Sequence, residues 1–198
     1  MATTCEVTKG FQLGCRDNTG GLKAIYILSG SITSITTDTS GSAATNDNYG
    51  TITGISGSGT FFEFELFRQT SNYGEELVAT PENGTIVYNQ TINAVFFKMQ
   101  QSLRNQVRVL AQNPNLKVII ETQNGSEDGE ARWFLMGQVN GAQLLSGTAN
   151  TGTAFSDLNG YNLVFSGNEP NPASEVNGTA TTFTSSLSGI TITAASGY

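Results

Sequence analysis

If this chain does chemistry, it has few residue types to do it with. Histidine is absent, which removes together the usual general base, the usual zinc ligand and the physiological pH switch. Carboxylates offer the nearest approach to a site. Glu63 and Glu65 in "FFEFELF" are two apart in a strand pattern, so they point the same way, side by side on an open edge. A glycosidase needs its pair facing across a cleft. Residues 124–130, "NGSEDGE", could gather a calcium ion through Asn124, Glu127, Asp128 and backbone carbonyls, but they lack the ligand spacing of a calcium loop and read better as a solvated hairpin tip. Serines are plentiful, yet there is no G-x-S-x-G elbow and no base to take a proton. "GISGSG" (54–59) has neither the spacing nor the following helix of a phosphate cradle. A non-enzymatic protein without cofactor or metal is therefore expected.

The composition says what scaffold these residues sit on. A chain of 198 residues suits one domain, able to bury roughly 70% of the surface that its unfolded form exposes. Hydrophobic residues make up 37% and charged residues only 13%, with Gly, Ser, Thr and Asn filling the rest, a mix that favours strands joined by turns. The formal charge of −7 repels phosphate and argues against tight nucleic-acid binding. Cys5 and Cys15, the only cysteines, form no CxxC pair and are expected as free thiols, with a disulfide as the alternative. No basic-then-apolar leader and no apolar run near 18 residues is present, so neither secretion nor membrane spanning is expected. Asn83-Gly84-Thr85 and Asn177-Gly178-Thr179 accordingly read as Asn-Gly turns rather than glycan acceptors.

Along the chain, residues 1–21 form a polar arm. "LKAIYIL" (22–28) reads as a strand, 36–50 as a long loop, and "TITGISGSGTFFEFELF" as a hairpin. A second long loop is expected over 68–84; loops of that length in a compact domain usually have a function. "TIVYNQTINAVFF" is a further strand. One helix is expected over 96–112, where Phe96, Met99, Leu103, Val107 and Leu110 share a stripe at steps of three and four, and Pro114 ends it. Arg104 and Arg108 lie off that stripe, as a solvated face or a contact for an acidic neighbour. "LKVIIET", "ARWFLMGQV", "AQLLSG" and "YNLVFSG" continue the β pattern, and residues 177–198 add one or two Thr-rich strands. Asn159-Gly160 permits positive φ and launches the strand from Tyr161. Pro170 and Pro172, lacking amide donors, stop it, with Glu169 capping the exit through a backbone or Arg contact. The expected fold is mainly β, an antiparallel β-sandwich or incomplete barrel with one flanking α-helix, in a single domain over 1–198.

The second half, taken as an ordered set, resembles the tail tube proteins of bacteriophages, whose fold is shared with the tubes of contractile injection systems. The matching residues are Trp133, Gly137, Asn140-Gly141, Thr151-Gly152, Asp157-Leu158-Asn159-Gly160-Tyr161, and Glu169 followed by Pro172-Ala173. The likeness covers roughly residues 84–176 and "CRDNTGGLKAIYI" near the start. Its order and spacing carry it, since each motif alone is a turn or a strand ending.

The resemblance implies a structural virion protein made in the cytoplasm of a bacterial host. Six copies would close into a ring, and rings would stack into a hollow tube through which the genome passes. It implies a tape-measure protein inside, with a sheath outside as a further candidate partner, DNA passing without specific binding, and no membrane or small-molecule partner. "FFEFELF" and "TIVYNQTINAVFF", long and polar on one face, would be the lumen-lining strands, and Glu63 and Glu65 would make the lumen acidic so that it repels DNA. The 68–84 loop would reach the neighbouring ring, with Leu77, Val78 and Pro81 as apolar anchors. Glu75, Glu76 and Glu82 would then meet Lys98, Arg104 or Arg108 of the next copy, in exposed pairs worth only about 0–1 kcal/mol each. The alternatives are a capsid decoration, baseplate or fibre-base protein, or the tube of a bacterial injection system. An enzyme or a sugar-binding module is disfavoured by the missing histidine and the single tryptophan.

Overall fold

The computed structural model describes residues 19–40, 50–125, 131–177 and 183–195. Cys5, Cys15, Glu127 and Asp128 lie outside them, and with these the thiol and calcium expectations. The protein is mainly β with one helix, as its Ser/Thr/Gly-rich alternation implied. Among the described residues, ten strands run in chain order: β1 Leu22–Thr37, β2 Ile52–Glu65, β3 Asn72–Thr80, β4 Thr85–Phe97, β5 Val118–Gly125, β6 Ala131–Met136, β7 Ala142–Asn150, β8 Gly160–Glu169, β9 Ser174–Val176 and β10 Leu187–Thr193. The helix α1, Gln101–Gln112, lies between β4 and β5.

The strands form two sheets. In the first, β1, β5, β6, β9 and β2 follow in order, and β2 pairs back onto β1, closing a five-stranded barrel with β10 laid parallel along β2. The second is an open sheet in the order β3-β4-β8-β7, antiparallel throughout.

The run "LKAIYIL" has both faces buried because β1 is a wall between two cores. Ala24, Tyr26 and Leu28 point into the barrel, where Trp133, Phe61 and Phe183 fill the interior. Trp133 and Phe183 have ring centroids 4.8 Å apart, and Tyr26 meets Phe183 edge-on at 5.2 Å, separations at which aromatic pairs add to simple area burial. Ile25 and Ile27 point outward onto Ile92, Ala94, Phe96, Leu163 and Phe165 of the open sheet. α1 packs on this second core through Leu110, Leu103 and Val107.

Four sequence expectations fail for physical reasons. The "TITGISGSGTFFEFELF" stretch is not itself a hairpin. It is one strand, β2, whose partner is β1. Its glycines looked like a turn but serve a close approach of two strands: Gly30 lies opposite Gly59, and a Cβ on Gly59 would sit 2.2 Å from Ser29 O. Residues 68–84 are not a loop either, since β3 occupies most of them in a hairpin with β4. The helix starts at Gln101 rather than near 96, because Phe96 and Phe97 complete β4 and Lys98 turns the chain with φ 66°. Gly160 is not needed for positive φ, which the described backbone does not show there. It is needed because a Cβ would lie 1.9 Å from Phe96 O. β8 does end at Glu169, immediately before Pro170.

Candidate functional site: an open sheet without cations

The open sheet has one covered face and one bare face. β4 and β8 alternate strictly, so Ile92, Ala94, Phe96, Leu163 and Phe165 enter the core and their neighbours face away. Those neighbours are Asn89, Thr91, Asn93 and Val95 on β4, and Asn162, Val164, Ser166 and Asn168 on β8. The register extends the bare face to Asn72, Gly74 and Glu76 on β3, and to Gln143, Ser146 and Thr148 on β7. The face is thus mostly amides and hydroxyls, with Val95 and Val164 among them, Phe97 exposed at one end, and Val78 and Val87 lying at the other. It carries one carboxylate, Glu76, and no lysine or arginine.

Both edges of this sheet, β3 and β7, have no strand partner among the described residues. An unpaired edge presents a row of backbone donors and acceptors that a second chain can satisfy. β3 also runs beyond the body. Tyr88–Glu169 is the last pair that β4 makes with β8 on this side, so the end of the hairpin is a two-stranded arm on which Leu77, Val78 and Ile86 are exposed.

The sequence placed Glu63 and Glu65 on a bare face, but they lie on the barrel strand β2, not on the open sheet. Each faces the side of β2 that looks towards the barrel interior, opposite Tyr26 and Ala24 respectively. The Glu63 carboxylate accepts the Tyr26 hydroxyl at 2.9 Å and the Ala195 amide at 3.0 Å, while Glu65 is exposed. The same Tyr26 hydroxyl lies 3.0 Å from buried Glu121, so its one proton is shared between the two carboxylates, and Lys23 pairs with the same Glu121. Burial, with Glu121 and Glu63 alongside, pushes the Tyr26 hydroxyl far above the usual tyrosine range, so it stays a proton donor. Glu121 was missed because nothing in "VIIETQ" shows that Tyr26 and Lys23 lie across the sheet.

Glu75 is likewise engaged within its own chain, accepting the Gln90 side-chain amide at 3.2 Å and the Ala173 amide at 2.9 Å. Glu76 is exposed on the bare face, Pro81 and Glu82 are exposed at the tip of the arm, Lys98 is exposed at the opposite end of β4, and Arg104 and Arg108 are exposed on α1.

The motif residues of the second half act as architecture. Glu169 is buried yet accepts three backbone amides, from Val139 at 2.9 Å, Asn140 at 2.8 Å and Gly141 at 3.1 Å. It therefore caps the β6–β7 turn. Lys117 holds the carbonyl side of the same turn, donating to Gly137 O at 2.6 Å, and the Gly137 amide donates to buried Gln90 at 3.1 Å. Burial lowers the Lys117 pKa, and nearby Glu169 partly offsets this. Asp157 accepts the Thr153 and Ala154 amides at 2.8 and 2.7 Å, which holds its carboxyl below the ordinary range. Asn159 O accepts the Lys98 amide at 2.8 Å, fixing the β4–α1 turn against the start of β8. Tyr161 is buried in the second core, and Trp133 in the barrel.

Among the described residues, no group of three or more carboxylates or cysteines is placed to hold a metal ion, and no helix is long and apolar enough to cross a membrane. No family model, curated protein or solved structure matches this chain.

Proposed function

We propose that this protein is a structural subunit that completes its open sheet with copies of itself, forming the rings and stacked tube of a phage tail. One observation carries the reading: a four-stranded sheet whose two edges have no strand partner, and whose bare face has no cation, among the described residues. Its strand directions alternate and its strand number is even. When copies are related by rotation about an axis running roughly along the strands, β7 of one copy therefore meets β3 of the next antiparallel, and the ladder continues without a fault. A contact between two different patches closes into a ring when the rotation divides the circle.

Six copies would make a 24-stranded wall. With strands about 4.8 Å apart and tilted by roughly 40°, its backbone diameter is about 48 Å, leaving about 35 Å clear of side chains. That bore admits a DNA duplex. An amide and hydroxyl lining gives phosphates no cation to displace their counterions, so a genome slides without salt-dependent adhesion. The lumen in this reading belongs to Thr91, Asn93, Ser166 and their neighbours. Glu76 is its acidic element, replacing Glu63 and Glu65.

Electron microscopy of the purified protein at rising concentration tests this directly. The expected result is six-membered rings and hollow tubes, and a monomer persisting at millimolar concentration would overturn it. A second arm tests the lining: Thr91→Lys with Ser166→Lys should leave tubes intact yet make them retain added DNA at low salt and release it as salt rises.

A further inference from the structure

β10 delivers the chain to the lip of a cleft at the end of β4. It runs parallel to β2, with Thr193 opposite Phe62, and just past it the Ala195 amide donates to the Glu63 carboxylate at 3.0 Å. Thr193, Ala194 and Ala195 themselves form one side of the cleft, whose volume is about 680 Å³. Phe62, Phe64, Phe67 and Phe97 supply aromatic walls. Glu65 adds an exposed carboxylate that accepts no hydrogen bond among the described residues.

The mouth of this cleft is held by unusual backbone. Phe67 and Phe97, 66% and 45% exposed, meet edge-on at 5.2 Å. Each is closely followed by a left-handed residue, Gln69 with φ 63° and Lys98 with φ 66°, and these two are the non-glycine residues of positive φ among those described. Thr70 fixes the first turn by donating to Phe67 O at 2.7 Å. The Lys98 amide fixes the second by donating to Asn159 O. Left-handed backbone without glycine costs free energy and gathers where a ligand is clamped. Two large rings presented to water at such turns mark a built receptor.

We infer that this cleft is the seat of Tyr198 of the same chain. Ser196, Gly197 and Tyr198 follow Ala195 in the sequence, and three extended residues span about 10 Å, enough to carry a side chain from the anchored Ala195 to the aromatic walls. The chemistry of tyrosine matches the lining. Its ring is buried best against other rings, and its hydroxyl needs an acceptor, which Glu65 supplies. Glu63 is already engaged by Tyr26 and Ala195, so it holds the tether. Other exposed apolar groups stand at this end of the sheet, since Phe155 and Leu158 lie in the turn between Asn150 and Gly160, and Gly160 is opposite Phe97. Phe155 of the same copy stands fully clear of the cleft. On another copy either group competes only at the concentration of the protein, whereas a side chain three residues from an anchored amide is present at about millimolar effective concentration. The inference does not depend on ring formation: each copy covers its own apolar mouth before any neighbour arrives.

Binding of anilinonaphthalene sulfonate to the whole protein at micromolar concentration tests it. Wild type should admit little dye. Tyr198→Ser should raise dye affinity about tenfold, the competition lost with one buried ring. Adding Phe67→Ser/Phe97→Ser to that variant should return binding to the wild-type level, which places the dye in this cleft. These positions are exposed, and thermal unfolding should stay close to wild type. Tyr198→Phe and Glu65→Ala should each raise dye affinity by about threefold, and the double variant no further, as expected when one hydrogen bond joins them. Equal dye binding by wild type and Tyr198→Ser would overturn the inference. So would dye exclusion that fades on dilution or is abolished by Phe155→Ser, either of which would put a neighbouring copy in the cleft. Wild-type protein that forms no rings would overturn the proposed function and leave this seat standing.

Discussion

The barrel and the open sheet are built from the same kinds of residue and end in opposite conditions. In the barrel, β2 returns to β1 and the interior is filled by Trp133, Phe61 and Phe183. Its five strands pair in a closed circle and its aromatic interior is filled within one copy, although β10 leaves one outer edge and the Trp133 indole N–H has no acceptor among the described residues. The open sheet buries one face, leaves the other wet, and stops at two edges unpaired among the described residues, with an arm exposed on both sides. An edge left open is a liability that monomeric proteins usually blunt, so a complete barrel beside an incomplete sheet suggests a division of labour. One half supplies stability, and in the proposed assembly the other is finished by neighbours.

Substitutions should therefore sort by half. The largest effect is expected from Trp133→Ala, which removes the central side chain of the barrel and should cost about 3–5 kcal/mol. For a domain of this size that is roughly 10 °C in Tm by calorimetry, with assembly unaffected well below the new midpoint. Glu169→Ala comes next. It strands three amides of the β6–β7 turn and leaves Lys117 without its nearby anion, for about 3 kcal/mol, and amide exchange at residues 139–141 should rise with it. Leu145→Asp on the β7 edge, where Leu145 is 62% exposed, should change stability by less than about 0.5 kcal/mol yet abolish ring formation by sedimentation. An equal loss of stability and assembly there would erase the contrast between the halves.

The smallest effect concerns pH. Asp157 has its folded pKa depressed below the ordinary 3.8 by the Ala154 and Thr153 amides. Its stabilisation is therefore present above that value and is lost as pH falls through the folded pKa. Thermal scans of Asp157→Asn and wild type should differ at neutral pH and converge on acidification.

How far the fold was legible follows from which faces are buried. β1 and β8 declared themselves because dense apolar residues mark strands with buried faces. The β3 arm did not, since Glu75-Glu76-Leu77-Val78 shows no period of two when neither side is covered by the same chain. The glycines of β2 mimicked a turn because sequence cannot distinguish a bend from two backbones in close contact. Phe96 fell in register with the helical stripe, and only the left-handed turn at Lys98 reveals that the stripe begins in a strand. The acidic residue before two prolines was read as a cap, but its target, a turn some thirty residues earlier, depends on β8 lying beside β7. The bare face was legible in part. The polar side of "TIVYNQTINAVFF" shows in its alternation, but only the register places the asparagines and serines of β8 and β7 beside it.

Hydrogen exchange followed across assembly addresses the central claim most directly. If neighbouring copies pair β7 with β3, amides in Asn72–Thr80 and Ala142–Asn150 should gain protection as concentration rises, while those of the barrel strands stay unchanged. Particles that form with no added protection on either edge would show that the open sheet is not where copies join.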